Sequence, residues 1–165
     1  MRTGLGVVVA MCLFLAGAAA AKAAPLTDDT LKAILENLGY TVTVTGDKPP
    51  RHFKVDESAP VNGLDFTITF DLSSAKDATV LWIYAGLYEI PADKPAPSSA
   101  LLALLAKNDE IGPTFFSYST DNKLLYLNAP TANVDITPAV LRLKIKNFIT
   151  KLDSTYSLWN VPKWK

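Results

Sequence analysis

Between Leu64 and Leu72 the sequence reads L-D-F-T-I-T-F-D-L. Leu64, Phe66, Ile68, Phe70 and Leu72 fall on one side of an extended chain, and Asp65, Thr67, Thr69 and Asp71 on the other. Strict period-two alternation predicts a strand with one dry face and one wet face. A slip of one residue would bury two aspartates, so the register is strongly specified.

The elements around this strand follow from equally local signals. Thr27 is placed to cap a helix whose first turn holds Asp28 and Asp29, where the helix dipole favours negative charge. Leu31, Ile34, Leu35 and Leu38 form its apolar stripe, and Gly39 ends it. Tyr40 to Thr45 and His52 to Val55 read as strands, Pro60 to Gly63 as a turn, and Ser73 to Asp77 as a second, polar turn. Ser98 or Ser99 is expected to cap a helix carrying Leu101, Leu102, Leu104 and Leu105 and ending near Asn108-Asp109. Thr114 to Ser119 and Leu124 to Asn128 read as a hairpin, and Thr131 to Asp135 as an exposed loop. Thr137-Pro138 opens a final helix with Leu141, Ile145, Phe148, Leu152, Tyr156 and Trp159, stopped by Pro162. The order α-β-β-β-β-α-β-β-α predicts an α+β domain over 26–165, an antiparallel sheet with helices packed on it.

Thr79 to Leu87 departs from simple alternation. Val80, Trp82 and Tyr84 share one face, and Leu81, Ile83, Ala85 and Leu87 the other, so both faces are apolar. Such a strand is covered on both sides or lies at an interface. Trp82, Tyr84, Leu81 and Ile83, with Trp159 and Trp164 near the C-terminus, therefore make up the candidate interaction surface, since Trp and Tyr are favoured in binding hot spots. Two coverings are open for the second face: a helix of the same chain, or the same strand of a second copy in an isologous homodimer. Trp164, beyond Pro162, is expected to be the most exposed of these aromatics.

The N-terminus carries an address. Arg2 precedes an uncharged apolar run from Leu5 to Ala21, and Ala21-Lys22-Ala23 has the small-x-small form of a cleavage site. Residues 1–23 thus read as a secretory signal peptide, which predicts export to the periplasm or the cell exterior and no stable membrane insertion after cleavage. Cys12 does not fit a lipoprotein signal, because Met11 stands where a small residue is wanted. As the single cysteine it leaves with the leader, so cysteine nucleophiles and thiolate metal sites are excluded from the mature chain. Loss of Arg2 and Lys22 leaves 14 basic against 16 acidic side chains, which does not suit a nucleic-acid partner.

Chemistry is sparse. His52 is the single histidine, and Arg51 and Lys54 beside it oppose a charged imidazole, so it reads as a surface strand residue. Asp28-Asp29, Asp109-Glu110 and Asp121-Asn122 read as a helix start, a helix exit and a turn rather than metal ligands. No G-x-S-x-G, G-x-G-x-x-G or phosphate-binding loop is present. Neither a cofactor nor a metal is expected, and an enzyme is not.

Certain residues carry a resemblance: Leu35-Glu36-Asn37-Leu38-Gly39-Tyr40 at the end of the first helix, the Phe66-to-Phe70 strand, the L-L-x-L-L-x-x-N helix from Leu101 to Asn108, the aromatic hairpin, and the long helix after Thr137-Pro138. In these the chain resembles the YbjN family of bacterial sensory-transduction regulators over Leu26 to about Trp159. The resemblance implies the fold of type III secretion chaperones, protein or peptide binding, and a homodimer. It carries no catalytic motif. The expected function is that of an exported, non-enzymatic protein- or peptide-binding domain. The alternative is an exported carrier holding a small apolar ligand between the sheet and the C-terminal helix.

Overall fold

The computed structural model describes residues 24–49, 51–73, 78–91, 93 and 96–164. The expected leader, 1–23, lies outside them, as does most of the turn expected after Leu72. The first helix, α1 (Asp28–Asn37), opens on a reciprocal box. The Thr30 N–H donates to the Thr27 hydroxyl at 3.3 Å, and the Thr27 N–H donates to the Thr30 hydroxyl at 2.7 Å. Leu31 and Leu35 of its stripe are fully buried. Gly39 follows at φ +97°, a left-handed position that glycine adopts without strain.

Six strands form one antiparallel sheet: β1 (Thr43–Thr45), β2 (His52–Ser58), β3 (Asp65–Leu72), β4 (Val80–Glu89), β5 (Phe115–Tyr118) and β6 (Leu124–Ala132). Their spatial order is β1-β2-β3-β4-β6-β5. The chain leaves β4, forms α2 (Ser98–Ile111), returns as the edge strand β5, and turns back as β6 between β5 and β4. The organising strand pairs as its alternation requires. Phe53, Phe70, Ile83 and Ala129 lie in one row across four strands, and Val55 faces Ile68.

This inner face joins Leu31 and Leu35 of α1, Leu104 and Ile111 of α2, and Leu141, Ile145, Phe148 and Leu152 of α3 (Pro138–Ser154) in one apolar core. All three long helices therefore lie on one side of the sheet. None of the described helices is long and apolar enough to cross a membrane.

The structure corrects three local expectations. The final helix is not continuous to Trp159. It ends at Ser154; Thr155, at φ −101° and ψ 5°, leaves the helical conformation while donating its hydroxyl to Lys151 C=O at 2.7 Å, and a short α4 (Tyr156–Trp159) follows. Ser98 and Ser99 do not cap α2, whose N-cap is Pro97 with no side-chain bond. Of the exposed loop expected at Thr131 to Asp135, Val134 and Asp135 are exposed, but Thr131 and Ala132 instead extend β6, and Asn133 beyond them is buried. The Asn133 carboxamide accepts from Leu26 N–H at 2.9 Å and donates to the Leu26 and Ala78 carbonyls at 2.9 and 2.8 Å, tying the start of the domain to the sheet.

Candidate functional site

Helix α2 is apolar over too wide an arc for one buried stripe. With about 100° per residue, Ile111 falls about 20° from Leu104, whereas Leu101, Leu105 and Leu102 fall about 60°, 100° and 160° away. Leu104 and Ile111 are buried, and the other three are exposed, Leu102 and Leu105 at 64 and 63%. Leu101 and Leu105 line an open apolar groove of about 570 Å³ between α2 and the β5–β6 hairpin. Ile90, Phe116, Tyr118 and Leu125 complete its apolar wall.

Two polar anchors set the shape of this groove. Asn108 of α2 accepts from Phe116 N–H at 2.6 Å and donates to Phe116 C=O at 3.2 Å. One carboxamide thus occupies both outward backbone groups of Phe116 on the edge strand β5 and shields that edge. Lys151 of α3 donates to Ile111 C=O at 2.5 Å and to Thr114 Oγ1 at 3.1 Å, fixing the end of α2 against the start of β5.

Most of the candidate surface read from the sequence lies elsewhere. Leu81 and Ile83 are in the core at 0 and 1% exposure and offer nothing to a partner. Trp159 is also buried, with its indole N–H bonded to Leu152 C=O at 3.0 Å. Trp164, expected to be the most exposed, is half-buried against the core and donates to Leu158 C=O at 2.8 Å. Only Trp82 and Tyr84 point outward, on the sheet face opposite the helices. No described helix covers that face, so of the two coverings considered, the intrachain helix is not the one observed.

His52 is a surface strand residue as read, its side chain 45% exposed at the start of β2, but it has a partner the sequence did not show. Its Nδ1 lies 2.8 Å from Asp71 Oδ1, across the β2–β3 pair, so the opposite strand supplies the oriented partner that its sequence neighbours lack. Asp71 Oδ2 accepts from the Tyr84 hydroxyl at 2.9 Å. Burial, and then the Asp71 carboxylate, hold the Tyr84 phenol well above its ordinary value of 10. Among the described residues no nucleophile is hydrogen-bonded to the free imidazole nitrogen, and no cluster of three or more His, Cys, Asp or Glu is placed to hold a metal ion.

The carrier site expected between the sheet and the C-terminal helix is filled. Leu141, Ile145, Phe148 and Leu152 occupy that space at 1% exposure or less. The outward leucines of α2 are the feature that sequence reading missed. The signal was present in the spacing of Leu101, Leu102, Leu104 and Leu105, which spans more of a helix than one interface can bury.

No protein-family model matches the chain, and no curated protein matches it. Solved structures share its fold. One is a chain of the heterodimeric complex ExoU-SpcU from the type III secretion system of Pseudomonas aeruginosa, with a TM-score of 0.50 and 14% identity. The match covers 77% of this chain and 95% of that one. An uncharacterized protein from Methanothermobacter thermautotrophicus matches with a TM-score of 0.54 and 17% identity over 81% of this chain and 96% of the other. The chain therefore has an α+β, type III secretion chaperone-like fold.

Proposed function

We propose that this protein is a non-enzymatic binding domain that takes an amphipathic helical segment of a protein partner into the groove beside α2. The observation that carries the reading is the exposure of Leu101 and Leu105 along an open apolar groove whose neighbouring strand edge is already occupied by Asn108. An extended peptide adds to a sheet through free backbone groups, and at Phe116 these are taken. A segment bound here has to satisfy its own backbone, which a helix does, and to anchor through apolar side chains. The neighbour from Pseudomonas aeruginosa is one chain of a heterodimeric complex, in keeping with a protein partner. Export and a YbjN-type role belong to the same proposal, supported by the leader pattern at 1–23 and by the Leu35-to-Tyr40 and Leu101-to-Asn108 segments.

Selection from a displayed library of amphipathic 18-residue peptides tests it. Enriched peptides should carry apolar residues at i and i+4, and should bind Leu101→Asp/Leu105→Asp at least tenfold more weakly. Equal binding to that variant, or no enrichment, refutes the reading. A homodimer is the other occupant of this helix face. Sedimentation showing a dimer that Leu101→Asp/Leu105→Asp dissociates would replace the peptide by a second copy.

A further inference from the structure

The sheet face opposite the helices holds a second, chemically different site. Asp71 of β3, Trp82 and Tyr84 of β4, and Tyr126 and Asn128 of β6 surround a shallow depression of about 420 Å³ with Ser119 at its rim. None of the three aromatic rings belongs to the hydrophobic core or packs against it. Trp82 sits between Asp71 and Pro130 in register, and Tyr84 between Thr69 and Asn128. The Tyr84 and Tyr126 rings meet edge to face at 6.0 Å and 64°. Opposite Tyr126 stands Gly86, so β4 contributes no side chain to that row.

We propose that this depression is a carbohydrate-binding site, with Trp82 as the stacking platform. Both polar and apolar groups point to that ligand class. The Trp82 indole N–H has no partner among the described residues and is a free donor. Asp71 is braced by His52 at 2.8 Å and by Tyr84 at 2.9 Å, and its oxygens keep further lone pairs. Asn128 spends its amide N–H groups on Phe115 C=O and Ser117 Oγ and leaves its carbonyl oxygen free. Tyr126 accepts from Asn122 at 2.6 Å and keeps its hydroxyl proton to donate.

Donors and acceptors thus alternate around flat aromatic faces. A pyranose presents the matching surface: one apolar C–H face, ringed by hydroxyls that each donate and accept. An organic cation would use the rings and Asp71 but would meet the Trp82 and Tyr126 donors, with Lys54 on the same sheet face two residues from His52. The bracing of Asp71 on both oxygens sets its position before a ligand arrives, which lowers the ordering cost of binding. This site is independent of the α2 groove, which lies on the helix side of the sheet.

The test titrates the purified protein with maltohexaose, cellohexaose and chitohexaose, which span α-linked, β-linked and N-acetylated pyranoses, up to about 10 mM, ten times a millimolar dissociation constant. Tryptophan emission and amide and indole chemical shifts are followed. The expected result is a saturable response to at least one hexasaccharide, with shifts confined to the Trp82 indole and the outer face. Trp82→Ala should weaken binding at least tenfold. Asp71→Asn, which keeps the platform and the side-chain shape, should also weaken it and covers the case in which Trp82→Ala does not fold. A failure of all three sugars overturns the proposal, as do undiminished binding by both variants and the same shifts produced by tetramethylammonium. Dimerisation through this face, seen by sedimentation and lost in Trp82→Ala, would assign it to a second copy instead.

Discussion

Asp153 near the end of α3 is buried at 5% exposure, yet carries a carboxylate. Its oxygens accept from Val61 N–H at 2.9 Å, Asn62 N–H at 3.2 Å and Asn62 Nδ2 at 2.5 Å, and its carbonyl accepts from Asn62 Nδ2 at 3.0 Å. The turn between β2 and β3 is therefore pinned to the last turn of a helix ninety residues away. Asp153→Ala removes a charged acceptor from two backbone donors, each such bond contributing about 1.5–3 kcal/mol. Val61 is 84% exposed, so water can reach this turn and replace part of the loss. The expected net cost is about 2–3 kcal/mol, which for a domain of this size lowers the melting temperature by about 6–9 °C. Asp153→Asn keeps the volume but turns an N–H₂ group towards a backbone donor, and should cost about 1–2 kcal/mol. Urea unfolding followed by tryptophan fluorescence measures both, with an unchanged slope showing that only stability has moved. A double-mutant cycle with Asn62→Ala should give a coupling of about 1 kcal/mol. An Asp153→Ala protein within about 0.5 kcal/mol of the parent would refute the reasoning, because the pinned turn would then contribute nothing.

Two further outcomes follow from the same accounting. Asn108→Ala should cost about 1–2 kcal/mol for its two bonds to Phe116, and the freed β5 edge should cause slow oligomerisation on size-exclusion chromatography; a monomer of unchanged stability would show that the edge needs no shield. Tyr40 and Tyr84 are both held above their ordinary value of 10, Tyr40 by burial and then by its hydrogen bond to Glu57. The folded state keeps these protons after the unfolded chain has released them, so the contribution is whole below pH 10 and is lost as pH rises through the folded values. The urea midpoint should hold between about pH 8 and about pH 10 and fall above, and Tyr84→Phe should flatten the fall; a midpoint insensitive to alkaline pH would contradict this.

The amino-acid sequence by itself determined what depends on neighbours along the chain. Period-two alternation set the β3 strand and its buried face, Thr27 and Thr137 set helix starts, and the order of elements implied an α+β domain with an antiparallel sheet. These are local because side-chain direction in a strand, and capping in a helix, involve residues one to four apart. Only the tertiary structure decided which apolar surface stays uncovered. Trp82 and Leu81 are adjacent large hydrophobic residues, but the pleat sends Leu81 into the core and Trp82 to the open face, and only the placement of three helices on one side tells the two apart. In α2, four leucines looked alike until the hairpin took Leu104 and left Leu101, Leu102 and Leu105 outside. Asp153, Asn108, Asn133 and the His52–Asp71 pair escaped notice for a related reason. Each polar side chain was legible as a surface residue, and its partners lie 8 to 107 residues away, brought within hydrogen-bond distance only when the sheet and helices close on one core.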